Sequence, residues 1–380
     1  MIWSFRIARV SGIDIRIHTT FVLVVLYFAA HWGADFGAIG GVFGAVSVCA
    51  LFFCVALHEL GHSIVAQHTG VSVREIILLP IGGLARLSNE PRRPLQELLI
   101  AIAGPLVNVV LAVLLLTLGV LVLGSSWITQ GAVFDPLASG PSLASLLGLL
   151  LWGNITLALF NMLPAFPMDG GRVLRALLSF ALGRPRATRV AATIGQVMAA
   201  GLGALGLLGD QSLTLVLIGL FVFFGATQER SSGQLEEALS GIVAGEACDP
   251  HAITLAPGEL VGATFGRLMA SAQYHFAVVQ AGEVLGTVSR RDLLREVHRE
   301  GYVAAVMQGD PVVVDVSTPL IEVRRLLQET EGRPLLVSGP EGLMGILGME
   351  DIQRVGAVAG ASRAQRAFAK PATGGVPLSS

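Results

Sequence analysis

Long apolar runs dominate the first 230 residues, and they constrain the fold more than any other feature. A helix that crosses a bilayer needs about 20 mostly apolar residues. Runs of that kind fall at roughly 18–34, 38–68, 96–124, 143–163, 190–209 and 211–228. The chain is 53% hydrophobic and only 14% charged, with mean hydropathy +0.70, whereas soluble domains carry roughly 25% charged residues. Charge is also uneven: 25 charged residues lie in the first 240 positions and 27 in the 140 that follow. The expected architecture is a multi-span α-helical membrane domain of about six transmembrane helices over 1–235, then a soluble α/β part.

The joins between runs alternate in charge. Those near 33–38, 125–142 and 209–212 contain no arginine or lysine and carry Asp35, Asp135 and Asp210. The opposite joins carry Arg74, Arg86, Arg92 and Arg93, then Arg172, Arg175, Arg184, Arg186 and Arg189. Basic joins face the cytoplasm, so the pattern predicts a multi-pass protein of the cell's inner membrane with both termini cytoplasmic. The N-terminus lacks the short apolar core and cleavage site of a secretory signal and is expected to be retained. A net charge of −2 points to no nucleic-acid partner. Cys49, Cys54 and Cys248 form no CxxC pair, and two of them sit in an apolar run as small hydrophobes.

Inside the second run lies His58-Glu59-Leu60-Gly61-His62. On a helix, positions i and i+4 share a face, so both imidazoles can bind one Zn²⁺, with Glu59 as general base. Ionisable groups at the centre of a span cost about 2.5–3.5 kcal/mol each on insertion scales. Three in one turn therefore argue for a function over a helix-packing polar cluster. Catalytic zinc takes a third protein ligand and keeps one position open. His68 lies six residues past His62 on another face and suits the role poorly. Asp169, in "NMLPAFPMDGGR" (161–172), is the better candidate. Pro164 and Pro167 break the helix there, and irregular backbone at membrane depth is tolerated where it lines a cavity. Taken alone, Asp169 reads more readily as a solvated residue in a helix-terminating turn near Arg172.

Between the second and third runs, "VSVREIILLPIGGLARL" (71–87) has β-branched stretches broken by Pro80-Ile81-Gly82-Gly83 and predicts a short membrane-associated hairpin. An unpaired edge there would accept a substrate strand; an ordinary hairpin packed on the membrane surface is the competing reading. After about 240 an internal repeat appears: "FAVVQAGEVLGTVSRRDLL" (276–294) aligns with "PLLVSGPEGLMGILGMEDI" (334–352). Each copy predicts strand, turn, strand and a helix opened by an acidic residue, and 360–380 is expected to be disordered.

HELGH in a span, N-x-x-P-x-x-P-x-D-G-G-R about a hundred residues on, and "AGPLVN" at 103–108 together resemble the site-2 protease family of intramembrane zinc metalloproteases. "GIDIRIHTTF" resembles the start of its compact branch, which includes the sporulation factor processing protease and archaeal homologues. The joining stretch 125–142 is too short for the PDZ-like insertion of the periplasmic-signalling branch. The resemblance implies His58, His62 and Asp169 as ligands of one Zn²⁺ per chain and Glu59 as general base. It implies a substrate- or oxyanion-holding role for Asn161 and a supporting role for Asn108. The repeat resembles a tandem pair of CBS domains, at 241–299 and 300–358. That likeness implies adenine nucleotide binding through Ser289, Asp292 and Asp351, with Gly348 standing where the second copy's hydroxyl should be. It also implies homo-oligomers formed through the CBS domains. Asp292 reads alternatively as a helix cap.

The expected function is a zinc metalloendopeptidase that cuts a membrane-spanning or membrane-associated protein near the cytoplasmic face, modulated by nucleotide at the CBS pair. Membrane-anchored transcription regulators and pro-sigma factors are the substrates the family implies. The rival reading is a CBS-gated zinc transporter or metal sensor without peptidase activity. His18 and Glu229, near the ends of the first and last runs, receive no role from the sequence.

Overall fold

The structure is a computed structural model that describes residues 4–80, 82–87, 91, 93–129, 135, 140–209, 212–249, 252–271, 273–296, 301–330, 332–340 and 342–368. Arg92 and Asp210 of the charge-alternating joins, and 369–380 of the expected disordered tail, lie outside the described residues. The chain divides into two compact units, 1–230 and 231–380.

In the first unit, helix α1 (Thr20–His68) takes in both of the first two apolar runs. It does not run straight. Gly37 adopts φ 64° and ψ −150°, a left-handed conformation that glycine reaches without strain. The two arms of α1 return antiparallel from it. Phe21 and Phe52 approach to 4.6 Å between ring centroids, and Trp32 and Phe43 to 4.8 Å. Close approach depends on small residues: a Cβ on Gly40 would stand 2.2 Å from the Trp32 carbonyl oxygen, and one on Gly44 2.4 Å from that of Phe28. In lipid, helices associate through such packing because the tails are as apolar as the side chains.

Helix α2 (Pro94–Leu123) opens on a proline, whose fixed φ suits the first helical position. Helix α3 (Leu143–Asn161) is capped by Ser142, whose Oγ accepts from the Ser145 amide at 3.0 Å. Then follow α4 (Asp169–Leu182), α5 (Arg184–Leu208) and α6 (Leu213–Leu239). Five of these helices, all but α4, are long and apolar enough to cross a membrane. Leu26, Ile39, Val42, Val113, Leu207 and Phe224 are exposed along them, as lipid-facing residues are. The expected six spans thus become five helices, the first folded into two arms. Helix α4 was not foreseen: its charges interrupt any apolar run, and it is amphipathic, with Ala176 and Ser179 buried while Leu177 and Phe180 are exposed.

The expected hairpin is present as β3 (Val73–Leu79) and β4 (Gly82–Leu87), but it is half of a larger sheet. Strands β1 (Ser4–Val10) and β2 (Ile13–His18) form a second hairpin, joined by Ser11-Gly12, both at positive φ. That is the backbone of a tight two-residue turn. Strand order is β1-β2-β3-β4, with β2 and β3 parallel from Asp14↔Glu75 to Ile17↔Leu78. Ile13, Ile15, Val73, Ile76 and Leu78 form one core with Ala56 and Ala66 of α1 and Ile100 of α2. Strand β3 is therefore interior, and the edge on the β3–β4 side belongs to β4.

The second unit repeats one motif. In the first copy β5 (Thr254–Leu255), helix α7 (Val261–Ala270), β6 (His275–Gln280), β7 (Glu283–Ser289) and helix α8 (Arg290–Glu296) follow in order. The second copy has β8 (Val312–Asp315), α9 (Leu320–Glu329), β9 (Leu335–Gly339), β10 (Gly342–Leu347) and α10 (Met349–Phe368). Both sheets pair their first two strands parallel and the last two antiparallel. Helix α10 continues to Phe368, so the tail expected to be disordered from 360 begins inside a helix.

Candidate metal centre

The second arm of α1 brings His58 and His62 to one face, with ring centroids 4.7 Å apart. Each ring is held through its Nδ1. That of His58 donates to Asn108 Oδ1 at 2.7 Å, and that of His62 donates to the Ile100 carbonyl oxygen at 2.6 Å. Both partners only accept, so they fix the tautomer and leave both Nε2 atoms unprotonated and available to a metal. The two Nε2 atoms lie 3.1 Å apart. Asp169 Oδ2 faces them, 3.3 Å from His58 and 3.1 Å from His62. The three residues are 5–8% exposed, and their ligand atoms all lie within 4.8 Å of one another.

This donor set, two imidazole nitrogens and a carboxylate oxygen, matches a catalytic zinc site with a position left over for water or substrate. The space for an ion comes from Gly104 on α2. A Cβ there would stand 2.1 Å from His62 Nε2 and 2.7 Å from His58 Nε2. Gly61, between the histidines, lets α1 approach α2: its Cβ would meet Val107 Cγ2 at 2.7 Å.

Asp169 arrives by a different route. Helix α3 ends at Asn161, Met162–Met168 is not α-helical, and Asp169 opens α4. The bend folds back on the first turn of α4, where only glycine fits. A Cβ on Gly170 would stand 2.3 Å from the Leu163 carbonyl oxygen, and one on Gly171 2.6 Å from the Ala165 carbonyl carbon. The solvated reading of Asp169 is thereby displaced: Asp169 is buried against the imidazoles, while Arg172 is exposed.

Glu59 is half-buried beside His58, and β4 lies against it. A Cβ on Gly83 would stand 2.3 Å from Glu59 Cγ and 2.9 Å from its Oε1. Asn161 closes α3 eight residues before Asp169, half-buried. His68 is exposed and bonds the Ile64 carbonyl oxygen of its own helix at 2.8 Å, outside the site. His18 Nδ1 accepts from the Thr20 amide at 3.3 Å and pairs with its hydroxyl at 2.7 Å, so it steadies the start of α1. Glu229 pairs with Arg175.

In the second unit, Ser289 Oγ donates to Asp292 Oδ2 at 2.6 Å and accepts from the Asp292 amide at 3.1 Å, so the pair caps α8. Asp351 Oδ2 accepts from the Gly348 amide at 3.0 Å and pairs with Arg354. The position of Gly348 is crowded: a Cβ would stand 2.3 Å from His275 Cδ2.

Sequence reasoning missed Ile100, Gly104 and Gly83. A backbone carbonyl leaves no mark in the sequence. Gly104 stood in the noted "AGPLVN", and a glycine inside a helix signals a close approach.

The protein family profile for peptidase family M50 matches residues 46–205, and that for the CBS domain matches 244–299 and 303–357. The chain is 35% identical over 355 residues to "Zinc metalloprotease MJ0392" of Methanocaldococcus jannaschii, covering 93% of this chain and 96% of the relative. It is 29% identical to "Putative zinc metalloprotease sll0528" of Synechocystis sp., covering 90% and 93%. Among solved structures it is similar to "Site-2 Protease from Methanocaldococcus jannaschii", with 39% identity, TM-score 0.41, and coverage of 60% of this chain and 95% of that one. The family profiles and the zinc metalloprotease relatives agree with the buried HExxH helix and the membrane-length helices and decide for hydrolysis over transport: the chain belongs to peptidase family M50, the site-2 proteases, as an intramembrane zinc metalloprotease with a tandem pair of CBS domains.

Proposed function

We propose that the chain cleaves a membrane-spanning or membrane-associated protein near the cytoplasmic face of the inner membrane. His58, His62 and Asp169 would hold one Zn²⁺ per chain, and Glu59 would act as general base. The observation that carries this reading is the convergence of two Nδ1-anchored imidazoles and Asp169 Oδ2, with Glu59 on the same turn. When bound, Zn²⁺ supplies Lewis-acid polarisation of the scissile carbonyl and lowers the pKa of a water to about 7. Glu59 takes a proton from the attacking water on its carboxylate and returns it to the departing amine nitrogen as the C–N bond breaks. Asn161 steadies the substrate carbonyl oxygen, and Asn108 orients His58.

Substrate reaches the site unwound. The outer edge of β4, beside Glu59, adds an extended segment by main-chain hydrogen bonding. The arginine-rich joins on the side of β3 and of the start of α5 support a cytoplasmic opening, with both termini on that side. In the second unit, Ser289 and Asp292 of the first copy bind an adenine nucleotide that modulates cleavage, with Asp351 as the counterpart in the second, and the CBS pairs associate between chains.

The test is Glu59→Gln in the full chain. Cleavage of a membrane-protein substrate is lost while zinc content stays at one per chain. Cleavage at the wild-type rate by the purified variant, with contaminating proteases excluded, would sink the mechanism. Mass spectrometry of proteins retained by the same variant identifies the substrate.

A further inference from the structure

Arg175 stands in a basic join on the sequence, yet its side chain is buried. Its Nε and Nη2 lie 2.7 and 2.5 Å from Glu97 Oε1, its Nη1 meets the Glu229 carboxylate, and its guanidinium covers the Phe166 ring at 5.0 Å. Glu97 is also buried; Glu229 is half-buried. Four segments therefore meet at one guanidinium: α2, α4, α6 and the bend before Asp169.

A buried ion pair is weak evidence of stability, because desolvation offsets the attraction; its best-attested use is to fix register. The register at stake here is visible on α2. Glu97, Ile100, Gly104 and Asn108 recur at spacings of three and four and so share one face. The last three of these position the imidazoles, through the Ile100 carbonyl, the Gly104 gap and the Asn108 amide. Glu97 extends the same stripe by one turn and meets Arg175, on the helix that Asp169 opens. Phe166, under the guanidinium, precedes Asp169 by three residues.

We propose that Arg175 is a positioning residue of the metal centre, with Glu97 as its principal partner and Glu229 as its outer cover. It locks the Asp169 helix and the Phe166 bend to the face of α2 that orients both histidines. The inference rests on the zinc reading above. Arginine suits the place because its planar fork serves two carboxylates and a ring face together, which a lysine ammonium cannot.

The experiment compares full-length wild type, Arg175→Gln, Arg175→Lys, Glu97→Gln and Glu229→Gln. It reads zinc affinity by chelator competition, kcat and KM on a membrane-protein substrate, and melting temperature without metal. Arg175→Gln is expected to weaken zinc binding on the order of 10–100-fold, the range for outer-shell partners of a metal site. kcat falls and KM stays near wild type. Arg175→Lys recovers part of both, and Glu97→Gln weakens zinc more than Glu229→Gln does. A purely structural role would lower the melting temperature and leave the zinc affinity of the folded fraction unchanged, and that result overturns the inference. If Arg175→Gln does not fold, Glu97→Gln and Arg175→Lys decide by the same readout. A wild type that holds no zinc would instead remove the metalloprotease reading itself, which separates the two failures.

Discussion

Gly104 lies so close beneath His62 that a single added methyl group would stand 2.1 Å from the imidazole Nε2. Real contacts of a Cβ are essentially never that short, and the same methyl would stand 2.7 Å from His58 Nε2. Gly104→Ala is therefore expected to displace both histidines from their common focus. Zinc content of the purified full chain should fall to a small fraction of wild type while the far-ultraviolet circular dichroism stays helical. Retention of one zinc per chain would show that the rings have room to retreat.

Asn108 holds His58 by one hydrogen bond of 2.7 Å. Asn108→Ala removes the acceptor, frees the ring to rotate and leaves the Nδ1 proton unsatisfied in a buried site. A loss of zinc affinity of about 10–100-fold is expected. Asn108→Asp keeps an acceptor and should bind zinc more tightly than Asn108→Ala; the order of the two, read by chelator competition, is the check.

The three atoms nearest to a Cβ on Gly83 would all belong to Glu59. Gly83→Val pushes the β4 strand away from the proposed general base or turns the Glu59 carboxylate aside. kcat is expected to fall by at least about tenfold, which corresponds to about 1.4 kcal/mol in the barrier, while zinc content is unchanged. Loss of zinc together with activity would place the damage elsewhere.

In the CBS pair, Ser289→Ala removes a reciprocal helix cap and should cost about 1 kcal/mol of stability, seen as a lower melting temperature. Under the proposed modulation it also weakens adenine nucleotide binding. Gly348→Ser does not create a second site, because its side chain meets His275 first. Calorimetric titration with adenosine nucleotides is expected to give at most one site per chain for both wild type and Gly348→Ser.

The sequence made the candidate site legible because each member is a chemical anomaly where it stands: two histidines and a glutamate within an apolar run, and an aspartate beside paired glycines. The CBS pair was legible as a repeat. The N-terminal hairpin left a weaker mark, in the turn dipeptide Ser11-Gly12 and the strict apolar–polar alternation of 13–18, while β1 loses its alternation after Ile7. Strand β2 also finds its partner β3 more than fifty residues away, which no local pattern reveals. Arg175 looked like one more basic residue of a join; its burial depends on carboxylates 78 and 54 positions distant. Which strand of the 71–87 hairpin carries the free edge was not legible for the same reason: β2 covers β3 and leaves the edge to β4.

The order of the segments along the chain has a bearing on biosynthesis. Helix α2 alone supplies the Nδ1 acceptors of both histidines, and it follows α1 directly among the long helices. The two elements that aim the imidazoles, α1 and α2, thus both precede the Asp169 carboxylate in the chain. The carboxylate that completes the triplet is translated 61 residues after Asn108. Under the proposed zinc reading, the donor set is therefore complete only once α4 has docked against α2, with α5 and α6 still to follow in the chain.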